Sequence, residues 1–282
     1  MRSAREGRLH GRRFLHRRPD ARTGERHRPG PTRVLAIDLG SSGTRAWVPE
    51  QGLVPGGPAH GEAGTSRPVR RGRIVDAESC AGALNRLADL ALGPHRQDSV
   101  IVLSRPVLAG QEHRASAREV LAALGPSDGV VIDSASAAAA CAGGPDGGPV
   151  LVVDMGAELT EVALLVDGAV VDARQAEAGL SDFEASSLPA ATVRNVLGMV
   201  TAMWREDRYG AVRGALRRGP VLTGGGALRS DVTGRIAAHL GVRVRVDRDP
   251  ATAVVRGAAL ILDSVLGAAG AGAVPVVPVR LR

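Results

Sequence analysis

The chain has 282 residues, enough for one or two domains. Its content of 44% hydrophobic and 23% charged residues is that of a globular protein, and with aromatics at only 2% the core must be built from Val, Leu, Ile and Ala. No apolar run reaches the ~18 residues of a spanning helix. No apolar stretch of a secretory leader follows the basic start. Two cysteines, Cys80 and Cys141, exclude a disulfide framework and fit a reducing cytoplasm.

The net charge of +7 is localised: residues 1–32 hold ten arginines against three acids, the whole of the excess. With Pro19, Pro29 and Pro31, and only Leu9, Phe14 and Leu15 as large apolar residues, this segment cannot bury enough surface to fold and is expected to be a disordered arm. It has three readings. One is a solvated tail. Another is attraction to an anionic membrane, at ~1 kcal/mol per arginine. Non-specific nucleic-acid binding ranks last, because no aromatic ladder is present for base stacking.

From residue 33 onward, short β-branched runs alternate with amphipathic stretches, the pattern of an α/β protein. Val34 to Val48 reads as a strand, a tight turn and a returning strand. Residues 49–66 are rich in Gly and Pro. A helix is expected over 77–92, with Ala81, Leu84, Leu87, Ala88 and Leu92 on its inner face. Strands follow over 100–103 and 130–132, separated by a helix over 112–124, and a helix of small residues spans 134–142. A second strand-turn-strand unit begins at Val150. Ser181 to Glu184 matches a capping box. Further helices are expected over 189–205, 209–217 and 252–266, and residues 267–282 form an extended Gly/Ala/Pro tail. His113 and His239 read as surface residues, Trp47 and Trp204 as partial core anchors, and both cysteines as buried structural thiols.

The two strand-turn-strand units are alike. Val34, Leu35, Asp38, Gly40 and Thr44 recur as Val150, Leu151, Asp154, Gly156 and Thr160, each 116 residues on. A repeat this widely spaced points to two similar domains rather than a solenoid. An acid at a strand end projects beyond the sheet. The glycine after it lets backbone approach a phosphate, and the N–H groups of the turn can cradle it. A third element, Val221 to Leu228, runs a strand into Gly224, Gly225 and Gly226, leaving nothing bulky where a flat base could lie. No His/Cys/acid cluster supports a metal other than one carried by a nucleotide.

Together these segments resemble the actin-like ATPase superfamily, and most closely its MreB/Mbl proteins. The two hairpins are similar to the family's two phosphate motifs, Val221 to Leu228 to its adenosine motif, and Asp249 to Ala258 and Arg67 to Asp76 to two further family segments. The resemblance implies two similar actin-like (ribonuclease H-like) domains, 33–144 and 145–266, with a nucleotide cleft between them. The last helix is expected to pack back on the first domain. ATP and Mg²⁺ are the implied cofactors. Asp38 and Asp154 would take the metal through water. Gly40, Ser41, Ser42, Gly43, Arg45, Gly156 and Thr160 would lie at the phosphates, with Gly224, Gly225 and Gly226 under adenosine. The resemblance also implies self-association and partners in the cell-wall or cell-division machinery, in a cytoplasmic protein with peripheral membrane contact through the arm.

Departures from the pattern temper these expectations. The outer insertions, 49–66 and 172–188, are too short for subdomains with their own cores. Glu158 stands where the family has glycine, and would oppose a phosphate by ~1–4 kcal/mol. The family's water-orienting glutamate position falls on Ser134, after Asp133, so hydrolysis is expected to be slow or absent. A degenerate scaffold that binds partners without nucleotide is the alternative. A sugar kinase or phosphatase of the same superfamily would need a substrate pocket for which the short insertions leave little room.

Overall fold

The computed structural model describes residues 33–54, 67–143, 147–207 and 210–268. These lie in one compact unit spanning residues 32–282. The basic arm, most of the first short insertion and residues 269–282 of the expected tail fall outside the described residues.

In chain order, β1 (Arg33–Leu39), β2 (Thr44–Val48) and β3 (Gly52–Val54) form an antiparallel meander, and β4 (Val69–Arg70) and β5 (Arg73–Ile74) a separate small hairpin. Then come α1 (Ala77–Leu92), β6 (Ser99–Arg105), α2 (Gln111–Leu124), β7 (Asp128–Asp133) and α3 (Ser134–Cys141). The second half repeats the plan with β8 (Val150–Met155), β9 (Thr160–Val166), β10 (Ala169–Ala176), α4 (Leu188–Arg205), α5 (Val212–Arg218), β11 (Val221–Thr223), α6 (Ser230–Leu240), β12 (Arg245–Val246) and α7 (Ala253–Ala268).

The first sheet runs β3-β2-β1-β6-β7 and the second β10-β9-β8-β11-β12. Each is an antiparallel meander extended by two parallel strands, so the duplication seen in one motif extends to the whole sheet.

Strand alternation decides the layers. Leu35 and Ile37 of β1 face α1 and α2, whereas Val34 and Ala36 face α3 and α7. In β8, Leu151, Val153 and Met155 face α4, α5 and α6, while Val150 and Val152 join the same central layer as Val34. The order is therefore helices, sheet, α3 with α7, sheet, helices.

The two central helices are exchanged. α7 follows the second sheet but packs on β1, β2 and β6, and α3 follows the first sheet but packs on β8. They meet where α3 is almost entirely Ser and Ala and α7 offers Gly257. A Cβ at Gly257 would overlap the Ala137 carbonyl oxygen, so glycine is required by this backbone-to-backbone approach.

α1 opens on a capped first turn. The Asp76 side chain accepts the Ser79 N–H at 2.9 Å, and Leu84, Leu87 and Ala88 are buried. Four local expectations are corrected. His113 is buried within α2 rather than at the surface. Trp204 is 46% exposed, lying under the Arg213 guanidinium at 5.9 Å instead of anchoring the core. Ser181 to Glu184 does not open a helix: α4 starts at Leu188, and Asp182 instead accepts the Gly179 N–H at 2.8 Å, closing a short turn. Cys80 is buried, but Cys141 is only half-buried.

Candidate functional site

The two like hairpins superimpose in register as well as in sequence. Asp38 pairs with Arg45 and Leu39 with Thr44; 116 residues on, Asp154 pairs with Glu161 and Met155 with Thr160. The turns close in the same way, Gly40 N–H to Gly43 O at 3.1 Å and Gly156 N–H to Leu159 O at 2.9 Å. Glycine is needed at the start of each turn because a Cβ would sit about 3 Å from those same carbonyl oxygens (2.9 Å and 3.0 Å). The N–H groups of Ser41 and Ser42, and of Ala157 and Glu158, donate to no partner among the described residues.

Both hairpins line one cavity of about 290 Å³. Asp38, Gly40, Ser41, Ser42 and Arg45 enter it from the first sheet, and Asp154 and Gly156 from the second. The glycine triplet reaches it through the sheet register. β11 runs parallel to β8 with Thr223 opposite Asp154, so the next residue, Gly224, lies against that carboxylate. At φ +81°, with a Cβ position 2.5 Å from Asp154 Oδ1, only glycine fits there. Gly224 N–H and Thr223 Oγ1 both donate to the Pro250 carbonyl, at 3.0 Å and 2.9 Å, which ties the loop before α7 to the cavity wall.

Three expected residues stand elsewhere. Gly43 only closes its turn, Gly226 is buried against Met155, and the Thr160 hydroxyl donates to Ala178 O at 2.9 Å. Ser134 lines the cavity; Asp133 does not, and is held by Arg105 at 2.7 Å.

The floor is strongly electrostatic. Burial pushes the Asp38 carboxyl above its usual range, against the pull of the Ser104 hydroxyl, which donates to it at 2.5 Å, and of Arg45. Asp154 is raised to about 7, first by burial and then by the charge of Asp38, with Arg45 opposing.

Glu161 is the residue that sequence reasoning passed over. Its carboxylate is buried across the ladder from Asp154, accepts the Val107 N–H at 3.0 Å and the Ser134 O–H at 3.4 Å, and is raised to about 8 by burial and by Asp154. The available signal was a lone acid inside an otherwise apolar strand, Thr-Glu-Val-Ala-Leu-Leu-Val.

Two buried carboxylates, with the charge of Asp38 raising Asp154, are a donor set suited to a divalent cation, which would relieve their repulsion. Among the described residues no group of three or more His, Cys, Asp or Glu could hold a metal by protein ligands alone. A cation here would therefore need waters or phosphate oxygens to complete its shell, as Mg²⁺ commonly does. A more open hollow of about 630 Å³ between α4 and α6 has no carboxylate and neither glycine turn in its lining, so the chemistry belongs to the smaller cavity.

Known proteins show the same architecture. A family model described as MreB/Mbl protein matches residues 56–187. The fold matches MreB5 of Spiroplasma citri bound to ADP with a TM-score of 0.74 and 15% identity, over 86% of this chain and 99% of that one. The chain has the actin-like fold of these proteins. The same MreB5 bound to AMPPNP matches equally, at TM-score 0.74 and 15% identity over 87% and 100% of the two chains. The ethanolamine utilization protein EutJ of Carboxydothermus hydrogenoformans shares the fold at TM-score 0.54 and 19% identity, over 82% and 90%. No curated protein sequence matches the chain.

Proposed function

We propose that this chain is an MreB-type protein that binds ATP with Mg²⁺ between its two sheets and acts as a cytoskeletal protein in cell-shape or cell-wall organisation, with slow or absent hydrolysis. The observation that carries the reading is the pair of hairpins, identical in register, that deliver Asp38 and Asp154 to one cavity beside Gly224. Asp38 and Asp154 would hold the metal through water. Free N–H groups of the two turns would take phosphates, and Gly224 and Gly225 would lie under the base. The metal, when bound, would neutralise phosphate charge.

Slow hydrolysis rests on what this chain puts near the phosphates. Ser134 is no general base, and its proton is already directed at Glu161. Asp133 is turned to Arg105. Filament formation and a cytoplasmic location with membrane contact through residues 1–32 belong to the same proposal. No helix among the described residues is long and apolar enough to cross a membrane.

Titration with a fluorescent ATP analogue and Mg²⁺ tests the site. Asp38→Ala is expected to weaken binding at least about tenfold, the loss of ~1.4 kcal/mol; saturable binding of equal strength by both proteins would sink the assignment. Sedimentation with ATP, with and without residues 1–32, tests assembly. A second reading, a scaffold that recruits partners without nucleotide, is favoured by one observation, the Glu158 carboxylate built into the cavity wall. It predicts no calorimetric heat with ATP and Mg²⁺.

A further inference from the structure

Glu158, at the tip of the second hairpin, is not a bare charge. Its side chain is 8% exposed, and its two oxygens are both used: Arg67 Nη1 donates to Oε1 at 3.0 Å and the Arg71 backbone N–H to Oε2 at 3.0 Å. Both donors come from the small β4–β5 hairpin and the residues that lead into it. That hairpin turns through Arg71 (φ 48°) and Gly72 (φ 71°). Gly72 is wedged between the first sheet and the tip: a Cβ there would lie 2.6 Å from Pro106 Cγ and 2.8 Å from Leu159 Cδ2. Two more ion pairs fasten the same segment to the second half, Arg71 to Asp182 at 3.0 Å and Arg73 to Glu177. Gly72, Pro106, Glu158 and Leu159 all line the cavity.

Position along the hairpin gives this clamp a consequence. Gly224 abuts Asp154 near the end of β8, and Glu158 lies beyond that strand, in the turn that Gly156 and Leu159 close. A nucleotide resting its base by Gly224 and its phosphates on the turn N–H groups extends toward the tip as its phosphate chain lengthens. The terminal group of a triphosphate would meet a carboxylate that already occupies the two donors it needs.

Building on the nucleotide reading above, we infer that Glu158 makes the cleft select a nucleoside diphosphate over the triphosphate. An internal anion satisfies Arg67 and the Arg71 N–H, and a third phosphate must displace it or endure its charge. Arg67 and Glu158 then act with opposite sign: removing the acid frees two donors, and removing the arginine leaves the acid uncompensated.

Titration calorimetry with ADP and with ATP, each with Mg²⁺, tests this on the wild-type chain, Glu158→Gln and Arg67→Ala. The wild type is expected to bind ADP about tenfold tighter than ATP, Glu158→Gln to bring the two within about threefold by gaining ATP affinity, and Arg67→Ala to widen the gap. Equal affinities in the wild type, or one ADP/ATP ratio shared by all three proteins, overturns the inference while leaving the nucleotide site intact. Absence of binding by either nucleotide to any of the three overturns the nucleotide reading itself and this inference with it.

Discussion

Replacing Glu161 with glutamine should flatten the pH dependence of stability. In the folded protein this carboxyl is raised from its ordinary 4.5 to about 8, first by burial and then by Asp154. An acid whose folded value lies above its unfolded value binds more protons folded than unfolded. Its contribution is therefore fully present below pH 4.5 and is lost as pH rises toward 8, at ~1.4 kcal/mol per pH unit. The full span would be worth at most ~5 kcal/mol. Part of the push is the charge on Asp154, which is itself raised to about 7 and so is incomplete over most of that window. A difference of ~2–4 kcal/mol is therefore expected between the two ends. Glutamine keeps an acceptor for the Val107 N–H and carries no charge to bury. Urea denaturation across pH 5 to 8.5 is the assay. The wild type should lose stability as pH rises, and the variant should lose clearly less, becoming the more stable protein above about pH 8. Parallel stability curves for the two proteins would refute the claim that a buried, protonated Glu161 underlies the cavity floor.

The remaining expectations are simpler. Gly257→Ala puts a methyl group into the Ala137 carbonyl where α3 and α7 touch, and should cost ~3 kcal/mol or more, visible as a Tm drop or loss of soluble protein; a Tm within about 2 °C of wild type would contradict the close approach. Cys80 is buried and its thiol is pushed up to about 11, whereas Cys141 is half-buried beside Asp247. A thiol reagent at about pH 8 should therefore label Cys141 first in the native protein and both residues in denaturant; equal native rates would contradict the burial of Cys80.

Much of the fold was legible because it is local. The helix of 77–92 declares itself through apolar residues at helical spacing, four of which are buried, and the duplicated Asp-x-Gly turns reveal that the chain repeats itself. What stayed hidden is carried by residues far apart in sequence. The pairs joining 67–73 to Glu158, Glu177 and Asp182 span roughly a hundred positions, and no periodicity marks them. Glu158 was foreseeable as a charge near phosphates but not as a charge already matched by Arg67. Glu161 was hidden by its neighbours: strand alternation sends it inward, yet whether an inward acid finds donors depends on Val107 and Ser134, which belong to the other half. Trp204 and His113 exchanged their expected environments because helical spacing fixes which residues share a face, not which face another element covers.

The exchange of α3 and α7 has a bearing on how this chain can be divided. A fragment ending near residue 144 would keep α3 but lose β8, the strand that helix lies on, and its own sheet would surrender the cover that α7 provides. The complementary fragment would bring α7 with nothing beneath it. Each piece would expose alanine- and valine-rich surface that only the other can shield, so neither half is a self-sufficient folding unit. Mixing the two separately expressed pieces should restore a structure that each lacks alone.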